Sequence, residues 1–337
     1  MSTVAIVGAT GAVGRTMLGI LEERDFPMSR IRLMASSRSA GREVTTPLGN
    51  VVVEDVADAD PSGIDIALFS AGAARSLEYA ERFVDSGAVV VDNSSAFRMR
   101  DDVPLVVVGV NDHAAIEHQG LIANPNCTTM TLMMATGPLH EAAEVESIVA
   151  SSYQAVSGSG QQGVTELTDQ LGPLGSNVDA LLQGGWEDPG PVLYERPIAF
   201  NVVPFAGNKV EGGYTDEEIK LVNESRKILG VSGLNVEPTC VRVPVMVGHG
   251  VVATLHFARD MTADEAMTIL GSAPGVELWK DRTPTPLDSA GIDEVLVGRV
   301  RETLGRPGGI NLWVVGDNLR KGAALNTVQI AELLIRS

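Results

Sequence analysis

The chain of 337 residues is poor in cysteine: Cys127 and Cys240 are its only two. So few thiols build no disulfide framework, which excludes the stapled secreted scaffolds and points to a reducing cytoplasm. Apolar runs are short, Leu105 to Val108 being a representative one, against the roughly 20 residues that a membrane-spanning helix needs. Met1-Ser2-Thr3 leads straight into an apolar Val4 to Val7, leaving no room for a signal peptide. Positive charge is scarce as well, with 25 Lys and Arg against 43 Asp and Glu and a formal charge of −18. That balance argues against nucleic acid or an anionic membrane as partner. It also requires any anionic substrate to be held by a local basic cluster. Internal repeats and low-complexity tracts are absent, and the cysteines and five histidines lack ligand spacing, so no metal is expected.

What is present begins with a nucleotide signature. Val4 to Val7 reads as a buried strand, Gly8-Ala9-Thr10-Gly11-Ala12-Val13-Gly14 as a glycine turn, and Arg15 to Arg24 as a helix. Glycines in such a turn let a pyrophosphate approach the backbone and rest on the helix N-terminus. A second strand, Ile31 to Ala35, ends on Ser36-Ser37-Arg38-Ser39, where an NAD site would carry an acidic residue for the ribose hydroxyls. A guanidinium among serines suits a 2′-phosphate instead, so the cofactor is read as NADP. Ile64 to Phe69 closes on the small-residue turn Ser70-Ala71-Gly72, and Arg75 to Ser86 is helical. Val89 to Asp92, Leu105 to Val108 and Leu121 to Ala123 read as further buried strands. Apolar strands alternating with helices imply a Rossmann-type, doubly wound parallel sheet.

After residue 140 the pattern changes. Ser147 to Ala155, Leu234 to Val245, Val251 to Ala258 and Ile310 to Val315 show partial period-two alternation, as a largely antiparallel sheet with one covered face requires. Two helices open on capping boxes, Thr215 with Glu218 and Thr262 with Glu265, and Gly230 closes the first. The region from Gly184 to Pro197 reads as a glycine- and proline-rich connection. The last helix, Ala323 to Ile335, is expected to cover the nucleotide-binding domain.

The chemistry centres on Asn124-Pro125-Asn126-Cys127-Thr128-Thr129. A cysteine at the start of a helix (Met130 to Leu139 is apolar and helical) sits where free N–H groups favour the thiolate, the form that attacks a carbonyl carbon. Gln154 lies where a strand runs into the Ser157-Gly158-Ser159-Gly160 turn. Arg242 stands alone on an apolar strand and needs an anionic partner or several acceptors, a substrate carboxylate being one candidate. His249, between Gly248 and Gly250, is placed at a turn. Glu217 and Lys220 are one helical turn apart. Arg98 follows Asp92-Asn93-Ser94-Ser95, at the carboxyl end of a strand where such sheets bind ligands.

Together these segments resemble the aspartate-β-semialdehyde dehydrogenases of the bacterial type, most of all the actinobacterial form. The likeness runs nearly end to end, through GATGAVG, ASSRSAGR, DNSSAFR, NPNCTT, SSYQAVSGSG, FNVVP, TDEEIK, ESRKILG, CVRVP and DNLRKGAALNTVQIAELL. It implies Cys127 as nucleophile, His249 as acid/base and Gln154 as the side chain orienting the substrate. It further implies Arg242 and Glu217 at the α-carboxylate and α-amine, with Arg98, Asn126 and Lys220 holding phosphate. Gly8, Thr10, Gly11, Ala12, Val13, Ser36, Arg38, Ser39, Ser157, Gly158 and Asn318 would line NADP, with Ser70 and Gly72 beside them. Residues 1–127, completed by a C-terminal helix over 318–337, would form the NADP-binding domain. Residues 128–317 would form the α+β catalytic and dimerisation domain of a homodimer.

The reaction implied is the reversible reductive dephosphorylation of L-4-aspartyl phosphate to L-aspartate-4-semialdehyde, on the way to lysine, threonine and methionine. The alternatives are N-acetyl-γ-glutamyl-phosphate reduction, whose cysteine motif typically has glycine before and tyrosine after the nucleophile, and a catalytically silent NADP-binding sensor. Two positions depart from the family pattern: Gly250, where it usually has serine, and Gly109, where it usually has glutamate.

Overall fold

A computed structural model describes residues 2–190 and 192–336. The chain divides into two compact units, Met1–Met134 with Asn223–Ser232 and Leu319–Ser337, and Ala135–Val222 with Gly233–Asn318. In chain order the first unit starts with β1 (Ser2–Val7), α1 (Ala12–Glu23) and β2 (Met28–Ala35), followed by a small hairpin, β3 (Glu43–Thr46) and β4 (Gly49–Val52). β5 (Glu54–Asp55), β6 (Ile66–Phe69), α2 (Ala73–Asp85), β7 (Val89–Asp92) and β8 (Leu121–Ala123) then lead to α3 (Cys127–Ala143). The six parallel strands lie in the order β5-β2-β1-β6-β7-β8, so the chain reverses direction about β1 and β6, as in a doubly wound sheet.

Leu105 to Val108 forms no strand. Leu105 makes a single parallel bridge to Ala123, and the backbone then turns with Val110 N–H and Asn111 N–H both on the Val107 carbonyl. Asn111 stabilises that turn by accepting from Val107 N–H and donating to the Leu105 carbonyl, so Leu105, Val106 and Val107 are buried without a ladder. Gly109, within the turn, has φ +95°, a conformation in which the family's usual glutamate would be strained.

The second unit contains β9 (Val145–Gln154), α4 (Gly160–Gly175), α5 (Val178–Gln183), α6 (Asp216–Leu229), β10 (Asn235–Arg242), β11 (His249–Phe257) and α7 (Ala263–Ser272). β12 (Val276–Trp279), α8 (Pro286–Ser289), β13 (Val295–Glu302) and β14 (Ile310–Gly316) follow. The sheet order is β10-β9-β11-β14-β13-β12. Three of its pairings are antiparallel and two, β9 with β10 and β12 with β13, are parallel. The boundary between the units falls inside α3 and inside α6.

The capping box of α6 forms in both directions: Thr215 N–H donates to Glu218 at 2.7 Å and Glu218 N–H to Thr215 Oγ1 at 3.3 Å. At α7 only the threonine half forms, because Glu265 is engaged by Arg259 at 2.7 Å. A π-helical turn, Arg320–Ala324, leads into α9 (Leu325–Arg336). α9 covers the parallel sheet as expected: Leu325, Val328, Ile330 and Ala331 share a core with Val4, Ile6, Leu33, Leu68 and Val91. Each such aliphatic side chain contributes roughly 1.5–3 kcal/mol when fully buried. α3 is buried on every side through most of its length, threonines included, with Met130, Leu132, Met133 and Met134 at most 1% exposed.

Candidate active site

The first site lies in the first unit, at the carboxyl ends of β1, β2 and β6. A cleft of about 210 Å³ is lined there by Gly8, Thr10, Gly11, Ser36, Arg38, Ser39 and Ser70, with Ala71 and Arg75 beside them. Gly8 has φ +93°, and a Cβ on it would run into the Ser70 carbonyl; one on Gly14 would run into the carbonyl of Gly8. The turn therefore admits no side chain at either position. α1 begins at Ala12 and Val13 without a side-chain cap on Gly11, so its first N–H groups point outward. Thr10 donates to Ser39 at 3.2 Å, tying the two loops together. Arg38 and Arg75 are exposed, and among the described residues no acidic side chain lines the cleft. These features fit a dinucleotide phosphate: free amides, two guanidiniums and no competing carboxylate. Gly72 is the N-cap of α2, with φ +86°, and stands beside the lining residues rather than among them.

The cysteine loop belongs to the same unit. Cys127 is partly exposed and is the first residue of α3. Asn126 caps that helix, its Oδ1 accepting from Thr128 N–H at 2.9 Å and Thr129 N–H at 3.3 Å. Asn124 is held by amide contacts on both sides: it donates to Asn93 at 2.7 Å, and Asn326 of α9 donates to it at 2.7 Å. Arg98 is buried, donating from Nε to the Asn124 carbonyl at 2.9 Å and from Nη2 to the Asn93 carbonyl at 3.0 Å. Its Nη1 meets Glu224 at 3.0 Å. The structure thus brings Cys127, Asn126 and Arg98 into one neighbourhood, together with Asn326 and Glu224, which carry no local sequence signal.

A third group forms in the second unit, and register explains it. Gln154 ends β9, Arg242 ends β10 and His249 starts β11; Gln154 is the direct partner of both Arg242 and His249 across the sheet. His249 is therefore the first residue of a strand and wholly buried, not a turn residue freed by its glycines. Its Nδ1 accepts from Ala155 N–H at 3.1 Å, which puts the ring proton on Nε2, and Nε2 has no partner among the described residues. Burial, then the nearby Arg242 charge, push its pKa down to about 3. Arg242 is 5% exposed and donates to the Ala155 carbonyl at 2.7 Å, while its guanidinium stands 5.9 Å over the Tyr194 ring. Its Nε is buried without a partner among the described residues.

A Cβ built on Gly158 would sit 3.0 Å from both Arg242 Nη1 and His249 Nε2, so glycine keeps the face of both groups open. Ser157 and Asn318 are bonded to each other at 3.0 Å, and Asn318 also receives Gly248 N–H at 2.9 Å. On α6, Lys220 lies between Glu217 at 2.9 Å and Asp216 at 3.0 Å. Burial alone would lower its pKa, but the two carboxylates outweigh that and hold the ammonium above its ordinary value.

Residues 3–118 match the NAD binding domain of semialdehyde dehydrogenases and residues 136–321 their dimerisation domain. The aspartate-semialdehyde dehydrogenase of Streptomyces akiyoshiensis is 53% identical, covering 98% of each chain. That of Corynebacterium glutamicum is 52% identical over the full length of both. The chain belongs to the aspartate-semialdehyde dehydrogenase family. A crystal structure of aspartate semialdehyde dehydrogenase II from Vibrio cholerae, complexed with ASA, superposes with a TM-score of 0.94 at 42% identity, covering 100% of this chain and 99% of that one.

Within this family framework the departure at Gly250 has a local reason. A Cβ at Gly250 would run into the Trp313 ring, which stacks edge-on with Tyr153 at 5.8 Å. The indole occupies the space that a serine would need. No helix among the described residues is long and apolar enough to cross a membrane.

Proposed function

We propose that this chain catalyses the reversible, NADP-dependent reductive dephosphorylation of L-4-aspartyl phosphate to L-aspartate-4-semialdehyde, as a cytoplasmic homodimer. The observation that best supports this reading is the position of Cys127, first in its helix, with Asn126 capping that helix from one side and Thr128 following on the other. In the competing N-acetyl-γ-glutamyl-phosphate reductases, glycine and tyrosine would flank the nucleophile.

In this reading the Cys127 thiolate attacks the acyl phosphate carbon, the C–O bond to phosphate breaks, and inorganic phosphate leaves from a thioester. Arg98 and Lys220, with Asn126, receive the phosphate. Arg242 takes the α-carboxylate through its planar fork, and Glu217 the α-ammonium. Gln154, abreast of both Arg242 and His249, orients the carbonyl. Gly8, Thr10, Gly11, Ala12, Val13, Ser36, Arg38, Ser39, Ser157, Gly158 and Asn318 would hold NADPH, which would supply a hydride to the thioester carbon. His249 acts as the acid/base, managing the proton on the leaving sulfur or oxygen as the thiohemiacetal collapses to the semialdehyde. The choice of NADP over NAD rests on Arg38 and its serines at the end of β2, where no acidic residue is available to a ribose hydroxyl.

The test is NADP reduction with aspartate semialdehyde and phosphate, set beside the N-acetylglutamate analogue and beside NAD. Activity with the first substrate, lost in Cys127→Ala while NADP still binds, is the expected outcome. Preference for the analogue, or no turnover at all, would remove the reading in favour of the reductase or of the silent sensor.

A further inference from the structure

Among the buried carboxylates without a ligand assignment, Asp92, Glu166, Glu218, Glu224 and Asp317, one reaches the nucleophile loop. Glu224, in the third turn of α6, has a side chain 1% exposed. Its Oε1 accepts from Arg98 Nη1 at 3.0 Å and its Oε2 from the backbone N–H of Asn126 at 2.7 Å. A carboxylate persists at such depth only when its charge and lone pairs are met. Two of its partners are the arginine assigned to phosphate and the residue immediately before the nucleophile. Asn126, gripped at its own N–H, turns its side chain onto the amides of Thr128 and Thr129 and so fixes the first turn that carries Cys127. Arg98 is held at three points, by Glu224 and by the carbonyls of Asn93 and Asn124. One turn further along α6, Lys227 donates to the carbonyls of Arg98, Arg100 and Val103, at 2.9, 2.6 and 2.8 Å, and secures the rest of that loop.

We propose that Glu224 is a positioning residue of the reaction, setting the nucleophile and its phosphate-binding arginine relative to each other from a single buried point. The inference rests on the functional reading above, in which Cys127 attacks and Arg98 receives the leaving phosphate. Two effects distinguish it from packing. Glu224 aligns the reacting groups, which affects turnover, and it places one negative charge beside the thiol loop, which affects thiol ionisation.

Glu224→Gln separates these effects, because the amide keeps the volume and one acceptor but presents a donor where the second acceptor was. Full-length protein is assayed for phosphate-dependent NADP reduction. Separately, without cofactor or substrate, the pH profile of Cys127 alkylation by iodoacetamide is followed by peptide mass. Cys240, buried and with its thiol pushed up to about 12, stays silent. The expected result is a kcat lower by roughly ten- to a hundredfold, a raised KM for phosphate, an unchanged KM for the semialdehyde, and an alkylation profile moved to lower pH. Glu224→Asp, which keeps the charge but loses reach, should lower kcat and leave the alkylation profile where it was.

The proposal is overturned if kcat and both KM values in Glu224→Gln match the parent. It is equally overturned if activity falls only in proportion to the folded protein measured by circular dichroism, with the alkylation profile unmoved. If the parent itself showed no phosphate-dependent turnover, the functional reading would fall, and the two alkylation profiles would still decide whether Glu224 acts on the thiol loop.

Discussion

Acidification should destabilise this protein through His249. Its folded pKa is about 3, because the imidazole is buried first and then faces Arg242, against an ordinary value of 6.5 in an unfolded chain. A folded value below the unfolded one means that the unfolded chain takes up the proton first. Stability is therefore complete above pH 6.5, falls as the pH drops below it, and goes on falling until about pH 3. From pH 7 to pH 5 the folded imidazole stays neutral while the unfolded one fills, and linkage gives a loss of about 2 kcal/mol over that interval.

Urea unfolding at the two pH values, on the parent and on His249→Asn, measures it. His118, His140 and His256, whose pKa values burial also lowers, titrate in both proteins and cancel in the comparison. The asparagine variant should be less stable at neutral pH yet lose less on acidification. If both proteins lost the same free energy between pH 7 and pH 5, a buried neutral imidazole at this position would be refuted.

Other substitutions probe the remaining assignments. Arg38→Ala should raise KM for NADP by the loss of charge-assisted hydrogen bonds worth about 1.5–3 kcal/mol and leave that for NAD unchanged; equal losses would make Arg38 structural. Arg242→Ala should weaken semialdehyde binding by roughly ten- to a hundredfold, whereas Lys220→Ala should chiefly raise KM for phosphate. Steady-state kinetics with each substrate varied alone would abandon that division if both constants moved together. Gly250→Ser should cost roughly 1–3 kcal/mol by overpacking against the indole. Adding Trp313→Leu should recover most of that cost in a double-mutant unfolding cycle.

Much of this architecture was legible in the residues. The glycine turn after β1 and the serines and Arg38 after β2 are local signals, because backbone approach and strand ends are set by neighbours in sequence. The capping box of α6 is equally local, and it closed as Thr215 and Glu218 predict. What escaped depends on register and on distant partners. Nothing in the alternation of β9, β10 and β11 says that Gln154 faces both Arg242 and His249. His249 was read as a turn residue because its glycines signal a turn; Gly248 indeed has φ +94°, and the strand begins one residue later. Leu105 to Val108 was read as a strand from apolarity alone, which a buried turn satisfies just as well. Glu224 was invisible for a similar reason. Glu217, Lys220, Glu224 and Lys227 form a charged stripe at helical spacing, which on most helices marks a solvated face, and only the structure shows Glu224 buried and Lys227 half-buried.

The order in which the chain is made has a consequence for the first unit. All six strands of its parallel sheet have been synthesised once Ala123 is added, but the apolar residues that complete its core, Leu325, Val328, Ile330 and Ala331, come roughly 200 residues later, an interval of about 10–40 s at ordinary elongation rates. During that time the face destined for α9 has no covering partner, and Asn124, next to the nucleophile loop, still awaits the amide of Asn326. The nucleotide-binding unit is thus begun first and finished last. Maturation of the cysteine loop becomes a post-translational event, and nascent chains stalled anywhere in the second unit should be unable to make a finished nucleophile site.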